Sequence, residues 1–582
     1  MNRQFPTIDP DRLAADDART LLRDRARSAL RQTAELLPGR ADYRGLRGTW
    51  KADLVAGVTV GIVALPLALG FGVSSGLTAE QGLVTAIVAG LLAAVFGGSN
   101  VQVSGPTGAM VVVLLPIVAS HGARAVAAVT LLAGLIVLAT GVVRLGRVVS
   151  IIPWPVIEGF TLGIACIIFL QQVPLVTSPE QAAPGELSTN ALVAAIQSLA
   201  KADPLHLAWA LGAVAIVVVC MIVCSKINPL VPGSLIGIAI VAVLALVVPN
   251  PLATIGAIPA ALPAPSLPAL DPDLVATLLP AALTVAALAA IESLLSARVA
   301  AGLADTGVYD PDRELVGQGV ASIGSSLFGG MPATGAIART SVNVRAGART
   351  RLAAIIHAVI LLAVVYAASG PVGTIPLAAL AGVLFLTAVR MVNVATARII
   401  LRSSRSDALT FLLTALITVA FDLIAAVLIG VVLAAVFALR RTARSSGVTL
   451  EPIRSEDPQP GDEEILAARF TGQLFFVSAE RVFETVMAVG PATVVILRMS
   501  LLEAVDSSGA RVLSELIRGL EQRGITVLIK GVRPGHAELL RKVGVVDALR
   551  HHRHLFDTFD EALEHARSHV RRARAVESEP DR

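Results

Sequence analysis

Charge is scarce in this 582-residue chain. Asp, Glu, Lys and Arg make up 15% of it, against about 25% in soluble domains. Aromatic residues stand at 4%. The net charge of +4 and a pI near 9.2 could suit nucleic acid, but the Arg residues fall in short connections between apolar runs, a membrane-topology pattern rather than a binding patch, so no nucleic-acid partner is expected. Only Cys166, Cys220 and Cys224 carry thiols. All three lie in apolar runs without a His or carboxylate beside them, so they are expected to pack rather than to hold a metal. No Ser/His/Asp, phosphate-loop or metal-ligand pattern appears, which leaves no catalytic residue and no enzyme. His551, His552 and His554 lie in a basic run and are expected to be solvated. The first 50 residues lack the pattern of a signal peptide; rich in Arg and Asp, they read as a cytoplasmic segment.

Apolar residues are abundant, at 55% with a mean hydropathy of +0.75. Between about 52 and 440 they form stretches of roughly 17–25 residues, the length of a bilayer-spanning helix. Spans are expected at about 52–70, 78–97, 103–118, 122–143, 150–171, 205–224, 230–249, 273–297, 316–328, 334–346, 350–369, 374–391, 406–420 and 422–440. The fold class is therefore an α-helical polytopic membrane protein of about 14 spans. An even count puts both ends on one side. The basic connections (Arg144 and Arg147, Lys226, Arg298 and Arg313, Arg349 and Arg351, Arg390 to Arg405) alternate with connections almost free of Lys and Arg. The connection 249–272 carries seven prolines and no Lys or Arg. The basic side is cytoplasmic, and both termini lie there.

Two stretches interrupt this pattern in nearly the same words: "VFGGSNVQVSGPTGAM" at 95–110 and "LFGGMPATGAI" at 327–337, with Thr107 and Thr334 separated by 227 positions. They open the third and tenth spans. Spans seven apart run in opposite directions, so the halves, about 51–249 and 272–442, form an inverted repeat. Non-helical backbone at membrane depth survives only against protein or a water-filled cavity. Two half-helices with facing N-termini meet that condition and offer free amides and partial positive charge to an anion. Gly108 and Gly335 would let a ligand approach the backbone, and Pro106 suits a first helical turn. The plainer alternative is close helix packing over small residues.

Glu292 has no charged residue before it back to Asp273 and none after it until Arg298. An acid at that depth reads as a site for a coupling proton or cation, with Ser296 one turn on along the same face; a structural hydrogen bond is the alternative. Arg339 sits four residues after Gly335 and can add positive charge to an anion site, whereas Arg345, Arg349 and Arg351 read as topological anchors. Phe71, at the end of the first span, either lines the cavity or packs. Asp407 and Asp422 flank span thirteen and are expected to cap helices or to sit at interfaces. From about 448, β-like runs ("EILAARFTGQLFF", "PATVVILRM", "ITVLIKGV") alternate with helical segments near 478–488, 508–522 and 534–543, giving a small α/β domain. Asp506, Ser507, Ser508 and Gly509 fall between a strand and a helix, where an N-cap is expected. Residues 571–582 are expected to be disordered.

Taken together, "GVTVGIVALPLALGFG", "VSGPTGAM", "AIESLLSA", "ELVGQG", "FGGMPATGAIARTSVNVRAGARTRLAAIIHA" and "VDSSGARVL" make the chain resemble the SulP family of anion transporters (sulfate permeases) over about 50–570, with a C-terminal STAS domain at 448–570 behind a transport domain at 51–442. The resemblance implies a seven-plus-seven repeat in which a core moves against a gate like an elevator, and a homodimer in the bacterial inner membrane. It implies a substrate site at Phe71, Ser104, Gly105, Thr107, Gly108, Ala109, Gly335, Ala336, Ile337 and Arg339. The sodium-coupled bicarbonate branch has Asp where this chain has Glu292, Thr where it has Ser296 and a hydroxyl residue where it has Ile337. That favours H+ over Na+ as coupling ion, with Glu292 and Ser296 as the coupling residues. Many members have a polar residue where this chain has Leu67. The wording around Glu292 and in 314–348 looks most like the C4-dicarboxylate transporters. Ser507 and Ser508 match a loop that is phosphorylated in soluble relatives of the tail; here they imply a regulatory or dimer-contact role and a surface for a cytoplasmic protein partner. The expected function is proton-coupled symport of a small anion (C4-dicarboxylate, bicarbonate or sulfate), with no cofactor. The alternatives are a sodium-coupled bicarbonate symporter, an uncoupled anion channel or exchanger, and a membrane-tethered signalling module.

Overall fold

A computed structural model describes residues 36–43, 45–149, 153–177, 188, 190–228, 231–303, 307, 309–420, 423–453 and 457–577. Most of the N-terminal segment and Asp422 lie outside them. The chain divides within one helix, between Val431 and Val432, into two compact units.

In the first unit, helices match the expected spans in order: α1 (Leu46–Ser74), α2 (Ala79–Phe96), α3 (Gly108–His121), α4 (Ala123–Val142), α5 (Trp154–Thr177), α6 (Pro204–Ile227), α7 (Gly233–Val247), α8 (Pro272–Leu303), α9 (Pro311–Leu327), α10 (Ile337–Arg345), α11 (Leu352–Gly373), α12 (Leu377–Met391), α13 (Arg405–Ala420) and α14 (Leu423–Ser445). Three short connecting helices add to the expected set: Gly146–Val149, Ala191–Ala200 and Val394–Ser403. Among the described residues, eight helices are long and apolar enough to cross a membrane by length and composition. Leu211, Val219, Val243, Val247 and Leu416 expose apolar side chains, as lipid-facing helices must.

Small residues set the close crossings. A Cβ at Gly134 of α4 would lie 3.0 Å from the Gly319 carbonyl of α9, and one at Gly319 would lie 2.5 Å from the Leu138 amide. Cys220 and Cys224 do pack, against Gly233 and Gly237 of α7; Cys166, by contrast, is exposed. The connection 249–272 meets the one between α11 and α12, which also lacks Lys and Arg. Ile255 and Gly256 donate backbone hydrogen bonds to Ile375 and Gly373, and Leu377 donates to Ala253. At two basic connections, Asp42 pairs with Arg313 at 2.7 Å and with Arg351 at 3.7 Å.

Arg351 is not a surface anchor. It is 2% exposed and donates to the carbonyls of Gly97 (2.6 Å) and Ala94 (3.3 Å) and to Asn100 Oδ1 (3.2 Å). It satisfies the carbonyls left over at the C-terminus of α2, where a cation is also favoured by the helix dipole.

The second unit is a five-stranded sheet in the order β3 (Gly447–Pro452), β4 (Ile465–Leu474), β5 (Val494–Val505), β6 (Thr526–Lys530) and β7 (Leu555–Phe556), numbered after two short strands of the first unit described below. β3 runs antiparallel to β4; the other pairs are parallel, with Ala468 opposite Leu497 and Leu497 opposite Ile529. Helices α15 (Phe476–Met487), α16 (Ser507–Gln522) and α17 (Pro534–Lys542) contribute to one apolar cluster, and α18 (Phe559–Glu577) contributes Ala562, Leu563, Ala566 and Val570 to another. A sheet so rich in parallel pairs needs both faces covered. Arg567 ties α18 to Asp462 at 2.7 Å and holds that carboxyl below the usual carboxylate range. Disorder from 571 is corrected: α18 continues to Glu577, and 578–582 lie outside the described residues.

Candidate functional site

Both sequence breaks are real. Residues 104–107 are extended, and α3 begins only at Gly108, with Thr107 at its N-cap (φ −128°, ψ 161°). Pro106 therefore precedes the helix rather than occupying its first turn. A proline bars helical geometry at the residue before it, Gly105, and has no N–H to offer. The second break mirrors the first: Thr334–Gly335 is extended, Ala336 is the N-cap and α10 spans nine residues. At about 1.5 Å per residue, α3 and α10 cover about 21 and 14 Å, short of a hydrocarbon core of about 30 Å.

The breaks pair with each other. β1 (Ser104–Gly105) and β2 (Thr334–Gly335) are antiparallel, with Ser104 opposite Gly335 and Gly105 opposite Thr334. The Ala336 amide donates to the Val103 carbonyl at 2.9 Å.

Glu292 of α8 reaches this junction. Its Oε2 accepts from the Thr107 hydroxyl and from the Thr334 hydroxyl, each at 2.8 Å, while the two hydroxyls lie 3.2 Å apart. Thr is a favoured N-cap whose oxygen ordinarily accepts from the first helical turn. Here the Thr107 hydroxyl is committed to Glu292, and Ala336 has no polar side chain. Neither α3 nor α10 carries a side-chain cap. Two helix N-termini thus keep free amide groups beside one carboxyl.

Arg339 clasps the two halves. It is 2% exposed, its Nη2 donates to the Pro106 carbonyl, and its Nη1 is buried without a hydrogen-bond partner. A Cβ at Gly105 would lie 2.5 Å from that Nη1. Gly105 also has φ +153°, a backbone state that L side chains rarely adopt.

The other expected site residues divide. Phe71 is buried against Gly108, its Cε1 3.4 Å from where a Cβ would stand. The bare face of Gly108 is otherwise filled by Ile168, and that of Gly335 by Gln102. On that face the two glycines admit side chains of this protein close to the backbone. The Ser104 hydroxyl accepts from Gln318 at 2.6 Å. Ala109 and Ala336 are buried, whereas Glu292 and Ile337 are half-buried. Ser296 lies beside Thr340 at 3.4 Å, and Thr340 accepts from the Val103 amide at 3.1 Å. Ser507 and Ser508 are exposed at the start of α16, capped by Asp506, which accepts from Gly509 at 2.7 Å.

Several residues of the site are not evident from the sequence. Thr334 stands in the repeated motif without any sign that it meets an acid. Ser293 accepts from the Gly335 amide at 3.1 Å. Glu314 of α9, 2% exposed, accepts from the amides of Gly98 (2.9 Å) and Ser99 (3.2 Å) and from Gln102 and Gln318 (2.9 Å each). It anchors the loop that delivers β1. "ELVGQG" holds the clue, since Glu314 and Gln318 are one helical turn apart.

A family model described as the sulfate permease family matches residues 50–414, and a STAS domain model matches 459–562. The chain belongs to the sulfate permease family. It is a multi-pass membrane anion transporter of that family, not an enzyme, and it carries a C-terminal STAS domain. Among sulfate permease relatives, it is 33% identical to a putative sulfate transporter, YvdB, of Bacillus subtilis over 88% of this chain and 97% of that one. It is 34% identical to the bicarbonate transporter BicA of Picosynechococcus over 71% and 74%. The solved transmembrane domain of a cyanobacterial BicA superposes with a TM-score of 0.59 at 32% identity, covering 65% of this chain and 97% of that one. SLC26A9 shares the fold, with a TM-score of 0.79 at 16% identity over 97% and 98%.

Proposed function

We propose that this protein is a proton-coupled symporter that moves a small anion by elevator-type alternating access, holding it between the N-termini of α3 and α10. Bicarbonate, sulfate and short dicarboxylates all have the size and charge that such a cradle of amides reads. One observation carries the reading: both threonine hydroxyls converge on Glu292 at a junction where neither helix N-terminus has a side-chain cap. An ionised Glu292 at this junction repels an anion. At about 6 Å and an effective dielectric near 20 the repulsion is roughly 3 kcal/mol, about a hundredfold in affinity. A proton on Glu292 removes it. Anion and proton therefore favour each other's binding by one and the same coupling free energy, which is the thermodynamic condition for symport. Arg339, attached to the α3 break through Pro106, would carry both half-helices together as the site changes sides.

The protein is further read as a homodimer with both termini cytoplasmic. The contacts of Asp42 with Arg313 and Arg351, and the meeting of two connections that lack Lys and Arg, support that sidedness.

The test is uptake of labelled fumarate, sulfate and bicarbonate into proteoliposomes, with an inward proton gradient, an inward sodium gradient or none. The expected result is accumulation of at least one anion with the proton gradient alone, lost in Glu292→Gln while exchange at equal concentrations survives. Sodium-driven accumulation, or gradient-driven accumulation by Glu292→Gln, overturns the coupling.

A further inference from the structure

Of the three histidines expected to be solvated, His551 and His552 are exposed, but His554 is not. His554, just before β7, is 4% exposed, and its Nδ1 is buried without a hydrogen-bond partner. His565 and His569 project from α18 with the i, i+4 spacing that brings side chains together on one helix face; both are half-buried. Their Nε2 atoms are 3.3 Å apart. One ring nitrogen from each of the three residues falls within a group whose members all lie within 4.8 Å of one another. The ring centroids are 5.0–5.4 Å apart, and the planes meet at 62°, 69° and 89°. Rings that stack for apolar contact have no need to aim nitrogens at a common point.

We propose that His554, His565 and His569 form a transition-metal site in the STAS domain, suited to Zn2+. Zinc binds imidazole at about 2.0–2.1 Å in tetrahedral geometry, which puts neighbouring nitrogens about 3.3–3.4 Å apart. The His565–His569 pair already has that separation. Bringing in the third ligand takes a movement of at most about 1.4 Å. Three imidazoles leave the fourth position to water or a small anion. The ligands are held from behind. The His554 carbonyl accepts from the Ile529 amide at 2.8 Å, fixing it beside the sheet, and α18 is packed down through Ala562, Ala566 and Val570. The nearby cations have partners of their own: Arg550 pairs with Glu521 at 3.1 Å and Arg572 donates to the Ser568 carbonyl at 3.1 Å. The metal would staple α18 to the β7 end of the sheet.

The experiment uses tag-free, full-length protein in detergent, titrated with Zn2+ against a chromophoric chelator and separately with Co2+ under visible absorption. Wild type is expected to take up one equivalent of Zn2+ per chain and to give the intense d–d bands of tetrahedral Co2+. The double substitution His565→Gln, His569→Gln should weaken binding at least a hundredfold, while His552→Gln, at an exposed neighbour, binds as wild type does. Substoichiometric uptake by wild type, a weak octahedral Co2+ spectrum, or undiminished binding by the double variant overturns the site. The wild-type measurements decide even if the double variant fails to fold.

Discussion

The two breaks share a motif but lead into unlike helices. In the first half, Thr107 is succeeded by fourteen helical residues with no charge before His121. In the second, Thr334 leads into nine helical residues that include Arg339, Thr340, Asn343 and Arg345. The carboxylates at or near the junction, Glu292 and Glu314, also come from the second half. The backbone geometry is thus duplicated, whereas the ionisable chemistry is present once. This division has a physical reason. A half-helix N-terminus offers the same partial charge wherever it is built, but each buried ionised group costs several kcal/mol unless paired. One acid and one base, placed where both halves can use them, supply the switching without incurring that cost twice.

The largest test of this asymmetry is Arg339. Its guanidinium holds the Pro106 carbonyl and fills the space that Gly105 leaves open. Arg339→Ala strands a buried carbonyl and removes the charge, a loss of about 3–5 kcal/mol by analogy with broken buried pairs. Uptake should fall by more than a hundredfold. Arg339→Lys should rescue little, because an ammonium lacks the planar fork. Full uptake by the lysine variant would mean that charge alone matters and that the clasp between the halves does not.

The threonines test the symmetric part. Each donates one hydrogen bond to the same oxygen of Glu292, and a bond to a charged group contributes about 1.5–3 kcal/mol. Thr107→Val and Thr334→Val should therefore each make Glu292 easier to protonate. The pH midpoint of proton-driven uptake should rise by about one to two units in both. Uptake measured from pH 5 to 9 checks this. A large shift in one variant and none in the other would break the equivalence of the halves.

Glycine substitutions separate conformation from space. Gly105→Ala meets both a positive φ and the Arg339 guanidinium, whereas Gly108→Ala, at a helical position, meets the Ile168 side chain. Overpacking alone costs about 1–3 kcal/mol, and backbone strain adds about 1 kcal/mol or more at Gly105. Thermal unfolding of the detergent-solubilised protein should rank Gly105→Ala below Gly108→Ala. The reverse order would show that Ile168 yields less readily than the clasp does.

How much of the fold and the site is legible in the sequence depends on the range of each interaction. The fourteen spans match helices one for one because hydropathy is a local signal, and the breaks are visible because Gly and Pro are local too. The β1–β2 register is not, since two residue pairs across 230 positions leave no mark on the sequence around them. Arg351 looks like an anchor because its position in a basic connection is local, while its acceptors on α2 lie more than 250 residues away. His554 misleads for the same reason: its basic neighbours are adjacent in the chain, and its imidazole neighbours are eleven and fifteen residues further on.

Ser296 gives the smallest effect and the finest discrimination. The motif makes it a partner of Glu292 in holding a coupling ion, since it is one turn along the same helix. The geometry gives it a different neighbour, Thr340, at 3.4 Å, and Thr340 in turn holds the Val103 amide beside the β1–β2 junction. On that geometry Ser296 belongs to the framework of the second half. A neutral bond at this length contributes no more than about 1 kcal/mol. Ser296→Ala should leave the pH midpoint and the cation independence of uptake unchanged and lower the maximal rate less than about fivefold. If Ser296 instead ligated a coupling ion, its loss would change the cation dependence itself. Uptake by Ser296→Ala, measured with and without sodium at several pH values, therefore decides whether coupling rests on one carboxyl shared by two threonines or on a larger cation site along α8.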